Sequence, residues 1–376
     1  MKFADISGLD DIKNVLIGAV KTNHSAHALL FLGKSGSANL ALALAYATFV
    51  NCENKIENDS CGTCASCVKM NKYIHPDFHF LLPTAGKIEN DAEWAKLLAD
   101  WRIFLNSNPY ANHVDWGQSL GAENKQLGIK IEDARKIVAN LTLKAFEGEY
   151  KIALIWLPEF MNTAAANMLL KTLEEPSEKT LFLLVSNDIE KLIVTIISRC
   201  QPIYVRDFED NEIKNHLTQK LQIDESQADK ATYIANGNLQ TAIQYLNQES
   251  NTDNYLILFR DWMRLCFNYQ ANIKDLIVFS DKMQSNGREE QKNFLIAAIQ
   301  YFNEALLKKY TEDKLVRLKD SDLEFINKFS SVVTDSNIEP IIQELTHAHY
   351  HIERNAIGSL IFLDLSFKLG KLLRLQ

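Results

Sequence analysis

The stretch Ala28-Leu29-Leu30-Phe31-Leu32-Gly33-Lys34-Ser35-Gly36-Ser37-Ala38-Asn39-Leu40 decides how the chain is read. Five apolar residues read as a short strand. The run from Leu40 to Val50, rich in alanine and leucine, reads as an apolar helix. Strand, glycine-containing loop and helix is the context of a Walker A pattern, in which backbone N–H groups cradle phosphates and a lysine reaches the β- and γ-phosphates. Set on that pattern, the first glycine is Gly33, Gly36 lies inside the loop, and the second glycine becomes Ala38. The lysine becomes Asn39 and the Ser/Thr becomes Leu40. A second register, ending on Gly33-Lys34-Ser35, needs a glycine at Ala28 and turns four consecutive apolar residues into loop. An ordinary strand-to-helix turn is the third reading.

Moving outward, the same loss recurs. Lys151 to Ile155 read as a buried strand. In a phosphate-loop ATPase such a strand ends in two acids, one for Mg²⁺ and one to orient the attacking water. Here Trp156 and Leu157 stand in those places, with Glu159 following. A helix over Asn162 to Pro176 and a strand from Thr180 to Val185 come next. Ser186 and Asn187 then sit where a γ-phosphate sensor would lie. Ile193 to Ile197 lead into Ser198-Arg199-Cys200 and a last short strand, Pro202 to Val205.

Cys52, Cys61, Cys64 and Cys67 follow the alanine-rich helix in the spacing C-x8-C-x2-C-x2-C, with Gly62 permitting a tight turn. In a reducing compartment this reads as four thiolates for one tetrahedral metal ion, structural because no ligand position is left open. Ile6, Leu9, Ile12, Val15, Leu16 and Val20 predict an amphipathic helix at the start of the chain, followed by His24 and His27, both read as structural. His75-Pro76-Asp77 reads as a turn before a strand over Phe78 to Leu82. The polar region 84–128 predicts one helix, Glu93 to Leu105, and then a loop. A further helix starts near Ile129.

After Pro202 only Pro340 interrupts the chain. Phe208 to Leu246 read as a small three-helix unit. Long helices follow over Tyr255 to Cys266, Asp275 to Met283, Arg288 to Lys308, Asp322 to Val333, a stretch across Pro340, and Ser359 to Leu373. His347, His349 and His351 alternate, and neighbours two apart on a helix face different ways, so they predict no metal site.

With 376 residues two or three domains are expected. No apolar run reaches membrane-span length, and the first residues lack the apolar core of a signal peptide, so the expectation is a cytoplasmic chain without membrane contact. The net charge of −8 argues against a free-standing, non-specific DNA binder.

Asn167 to Pro176, with its Lys171-Thr172-Leu173-Glu174-Glu175-Pro176, the Ser198-Arg199-Cys200 triplet and the four-cysteine insert together resemble bacterial clamp-loader subunits of DNA polymerase III. The worn phosphate loop and missing acids resemble the delta-prime branch rather than the tau/gamma motor branch. The resemblance implies an α/β AAA+-type P-loop domain with a parallel sheet over 1–205, with its zinc module at 52–67. It further implies a small helical lid over 206–250 and an all-α collar for oligomerisation over 251–376. It implies Zn²⁺ on Cys52, Cys61, Cys64 and Cys67, and no productive ATP binding at Gly33, Gly36, Ala38 and Asn39. Arg199 is implied as an arginine finger acting in trans on a neighbouring ATPase subunit. The implied partners are tau/gamma motor subunits and delta in a hetero-oligomeric ring, the sliding clamp, and primed DNA through the complex. Gln240, after Asn236-Gly237-Asn238, stands where an active subunit's lid places an arginine on the phosphates. Two other classes stay open: a self-contained ATPase of the tau/gamma type, and a zinc-dependent nucleic-acid adaptor.

Overall fold

The computed structural model describes residues 1–376 except 23–25, 123–124, 248, 311–324, 326–327, 355 and 375–376. His24 and residues 322–324 and 326–327 of the helix expected over Asp322 to Val333 lie outside the described residues. The chain divides into two compact units, Met1–Leu246 and Asn247–Gln376.

The first unit is built on five parallel strands: β1 (Ala28–Leu32), β2 (Phe78–Leu81), β3 (Lys151–Trp156), β4 (Thr180–Ser186) and β5 (Gln201–Tyr204). Their order across the sheet is β2-β3-β4-β1-β5. β1, β3 and β4 are buried along their whole length, as expected for parallel strands covered on both faces. In register, Leu30 lies opposite Leu184 of β4 and Pro202 of β5. Pro202 is tolerated because β5 is an edge strand.

Alternate side chains serve opposite faces. Leu29, Phe31, Ile152, Leu154, Leu183 and Val185 pack on one side, against α2 (Asn39–Val50), every residue of which is buried. Leu30, Ala153, Ile155, Phe182 and Leu184 pack on the other. There they share a core with Ile137 of α6 (Ile131–Thr142), Leu169 and Leu173 of α7 (Thr163–Glu174) and Ile196 of α8 (Val194–Ile197). This is a parallel, helix-covered α/β sheet, as expected for the first part of the chain.

Three local expectations are corrected. α1 (Asp10–Lys21) buries Ile12, Lys13, Leu16 and Ile17 and turns Val15 outward, 59% exposed. Lys13 is admitted to that face because its Nζ donates to Ile6 O at 2.6 Å. Region 84–128 holds two helices, not one: α4 (Asp91–Ser107) and α5 (His113–Ser119). The second is started by Asn112, whose Oδ1 accepts from Val114 N and Asp115 N, a side-chain cap on otherwise orphaned amides. The helix at Glu212 to Leu221 is a short α9 (Asp210–Asn215) that widens into a π-turn, His216–Lys220. With α10 (Glu225–Ala235) and α11 (Leu239–Asn247), it buries Ile213, Leu217, Ala231, Leu239 and Ala242 in the same apolar cluster as α2.

Among its described residues the second unit is built of helices joined by turns, with no strand. It comprises Glu249–Phe267, Ile273–Ser285, Arg288–Tyr310, Asp335–Glu353 and Gly358–Leu372. It has an apolar core of its own, with Phe259, Trp262, Phe294, Phe302, Leu345 and Phe362 at its centre. Trp262 stacks on Phe279 at 5.6 Å between ring centroids. No helix among the described residues is long and apolar enough to cross a membrane.

Candidate functional site

The loop Gly33–Leu40 leaves the C-terminal end of β1 and closes with Ser37 N donating to Lys34 O at 3.0 Å. Gly36 has φ +83°, and a Cβ there would land 2.0 Å from Asn238 Oδ1. Glycine is therefore required twice over, by conformation and by the approach of Asn238. Asn238 Nδ2 donates to Ser35 O at 2.8 Å, and Lys34 pairs with Asp207.

Asn39, in the lysine position, is only 5% exposed. Its Nδ2 donates to Asn187 Oδ1 at 2.8 Å, to Ser186 O at 3.3 Å and to Gly33 O at 3.4 Å. Its Oδ1 accepts from Leu40 N at 2.9 Å. The amide thus ties the loop to the end of β4. Asn187 is held in turn by Glu159, whose Oε1 accepts from Asn187 N at 2.9 Å. Burial pushes the Glu159 carboxyl above its ordinary range, against the pull of that hydrogen bond.

The acid positions are filled by core. Trp156 is 2% and Leu157 is 0% exposed. Trp156 lies 4.9 Å from the Trp101 ring centroid and 5.8 Å from Phe104, and Trp101 meets Trp116 edge-on at 5.2 Å. Region 84–128 therefore supplies the aromatic wall that the Trp at the strand end packs against. The same region reaches Gln240. Asn108 Nδ2 donates to Gln240 Oε1, Gln240 Nε2 donates to Asp115 Oδ2 at 2.6 Å, and Gln244 Nε2 donates to Asp115 Oδ1 at 3.2 Å. A groove of about 380 Å³ remains beside the loop, bordered by Gly33, Lys34, Asn187, Tyr204 and Arg206.

The Sγ atoms of Cys52, Cys61, Cys64 and Cys67 all lie within 4.8 Å of one another, with Cys61 and Cys67 sulfurs 3.9 Å apart. An ion held tetrahedrally by thiolates at about 2.3 Å needs sulfur separations of about 3.8 Å, so the four fit one metal ion. Gly62 turns at φ +75°. Backbone amides point at the sulfurs: Cys61 N to Cys52 at 3.3 Å, Cys64 N to Cys61 at 3.3 Å, and Cys67 N to Cys64 at 3.4 Å. The amides of Thr63 and Cys64 hold the Cys61 thiol down to about 6, while burial pushes Cys52 and Cys67 up. Asp59 fixes the module to the start of the chain by accepting from Phe3 N and Ala4 N.

His75 and Asp77 form the expected turn. The Asp77 carboxylate accepts from Phe146 N, Glu147 N and Gly148 N at 2.7–2.8 Å. It is a cap on a neighbouring turn and does not face the loop.

Arg199 follows α8 and precedes the first residue of β5, Gln201, which pairs with Leu29 of β1. In a parallel sheet that is the N-terminal edge, whereas Gly33–Leu40 lies beyond the C-terminal edge. The two do not meet within one molecule. The Arg199 Nη2 pairs with Glu174 Oε1, and Nη1 donates to Thr195 O at 2.8 Å. Asn238, Asn108, Asp115 and Glu174 are the residues that sequence reasoning did not single out for this site.

The family model described as "DNA polymerase III, delta subunit" matches residues 8–209. Among relatives, the chain is 33% identical to DNA polymerase III subunit delta' of Yersinia pestis over 187 residues, 49% of this chain and 43% of that one. It is 28% identical to DNA polymerase III subunit tau/gamma of Haemophilus influenzae over 219 residues, 58% of this chain and 26% of that one. It is 24% identical to DNA polymerase III subunit gamma of Buchnera aphidicola over 365 residues, 96% of this chain and 80% of that one. The chain thus spans about a quarter of the tau/gamma relative and under half of the delta' relative. Because the family model covers more than half of its length, the chain belongs to the DNA polymerase III, delta subunit family.

Proposed function

We infer that the chain is a non-catalytic subunit of a bacterial clamp loader, of the delta-prime type. In this reading it sits in a hetero-oligomeric ring with tau/gamma motor subunits and delta. The ring uses ATP to load the sliding clamp onto primed DNA. The observation that carries the reading is the Asn39 amide, bonded to Asn187, Ser186 and Gly33 where a phosphate-binding lysine would project. Trp156 and Leu157 support it, since neither offers a carboxylate to Mg²⁺. On this reading 1–205 is retained nucleotide-domain scaffold, 206–250 a lid and 251–376 a collar, and the four cysteines hold a structural Zn²⁺.

Arg199 then acts on a neighbour. A guanidinium at the nucleotide of an adjacent subunit stabilises charge on the transferring γ-phosphoryl group, an effect of about 10³ to 10⁵ in related systems. Its place at the sheet edge away from the chain's own loop agrees with action in trans.

The tau/gamma names among the relatives favour a second reading, a self-contained motor. Nucleotide titration and ATPase assays of the chain alone, then of the chain mixed with a motor subunit, separate the two. The stator reading expects no turnover alone and an R199A-sensitive ATPase in the mixture. Tight Mg-ATP binding with turnover by the isolated chain would overturn it in favour of the motor.

A further inference from the structure

The root of Arg199 is fixed while its head is long and half free. Arg199 N donates to Ile196 O at 3.1 Å and Cys200 N donates to Ile197 O at 3.2 Å. The flanking side chains, Ile196 and Cys200, are 1% and 8% exposed and share a core with Leu169 and Leu173 of α7. The Arg199 side chain as a whole is 31% exposed. Three acceptors decide where it rests: Thr195 O, Ser198 Oγ at 3.4 Å, and the carboxylate of Glu174. Two of these belong to the same turn as Arg199. Glu174 comes from another element, the last residue of α7, where Glu175 leaves helical geometry before Pro176.

We propose that Glu174 is the positioning residue for Arg199, fixing the orientation of the guanidinium at the sheet edge so that it meets a nucleoside triphosphate bound by an adjacent subunit. The inference rests on the reading of Arg199 as a finger and assigns a second residue to it. Thr195 and Ser198 tie the head to its own turn through Nη1, and the Glu174 carboxylate on Nη2 supplies the acceptor from outside that turn. An arginine that must act across a gap loses effect when its orientation is established anew in each encounter. The contacts to Thr195, Ser198 and Glu174 use Nη1 and Nη2, and the Nε–H takes part in none of them, so it is left to meet a phosphate oxygen. Glu174 touches neither substrate nor reacting atoms. In the neighbour's reaction water attacks the γ-phosphorus, the bond to the β–γ bridging oxygen breaks, and ADP and phosphate leave. Arg199 supplies hydrogen bonds and exchanges no atoms.

The test is steady-state ATPase of the complex reconstituted with its ATP-hydrolysing neighbour, carrying Glu174→Ala, Glu174→Gln, Arg199→Ala or the double alanine variant in this chain. Glu174→Ala is expected to lower kcat about tenfold to a hundredfold, the range associated with small misplacements of a working group, with KM for ATP nearly unchanged. Glu174→Gln keeps an acceptor of the same length and should recover most of the loss. The double variant should fall no lower than Arg199→Ala alone. A full effect of Arg199→Ala with none of Glu174→Ala overturns the positioning role and leaves the finger standing. No effect of Arg199→Ala overturns both. Stimulation by Glu174→Ala, or additive losses in the double variant, also overturns the positioning role.

Discussion

At the scale of single residues, an asparagine amide occupies the place where the lysine of a phosphate-loop pattern would stand. Asn39 makes three donor contacts and one acceptor contact in a place that is 5% exposed. Its removal takes a partner from the buried Leu40 N and from the half-buried Asn187 Oδ1. Leaving a buried donor or acceptor unpaired costs about 1–3 kcal/mol. Asn39→Ala is therefore expected to destabilise the first unit by about that amount in urea unfolding. Asn39→Lys restores the side chain of the phosphate loop but is expected to yield no ATP turnover in a phosphate-release assay, since Trp156 and Leu157 still supply no metal-binding carboxylate. The loss of the lysine was legible in the sequence. What replaced its function was not: the partners of Asn39 on β4 lie 147 and 148 residues further along the chain, and no local pattern couples positions that far apart.

At the scale of elements, strands were the most legible parts. Ala28 to Leu32, Ile152 to Trp156 and Leu181 to Val185 are continuous apolar runs because both faces of the sheet are covered. The region 84–128 was the least legible. α5 is a seven-residue helix set by an asparagine cap, too short to carry a periodic pattern. Its Asp115 and the neighbouring Asn108 carry the contacts to Gln240. The join between α9 and the start of α1 gives a pH-dependent test. Arg206 Nη1 and Nη2 each donate to the Glu212 carboxylate at 2.8 Å, and Leu9 N and Glu209 N donate to it as well. Burial raises the Glu212 carboxyl, but these donors outweigh it and hold it at about 2 against an ordinary 4.5. A carboxyl whose folded value is depressed stabilises the fold above its unfolded value and loses that contribution as pH falls toward the folded one. The stability gap between the wild type and Glu212→Gln should therefore be full near neutrality and shrink between about 4.5 and 2. A gap that stays constant through that window, followed by urea midpoints, would count against the assignment.

At the scale of the whole molecule, the two units have separate apolar cores. Phe259, Trp262, Phe294 and Phe362 belong to one, and the sheet with α2 and the 208–246 helices to the other. The helical character of the last third was legible as long runs with Pro340 as the one interruption after Pro202. Leu239–Asn247 and Glu249–Phe267 are successive helices near the division after Leu246. Units that share no core unfold as separate cooperative blocks, so calorimetry of the full chain is expected to give two transitions. Only one of them contains the cysteine cluster, which lies between α2 and β2 and is bound to the first residues through Asp59. Metal binding to preformed thiolates is folding free energy for the unit that carries them. A strong chelator should therefore lower the midpoint of one transition by several degrees and leave the other in place, with about one zinc released per chain. If both transitions shifted together the units would be thermodynamically one block. If neither shifted and no metal were released, the four sulfurs would be a cluster of thiols without an ion.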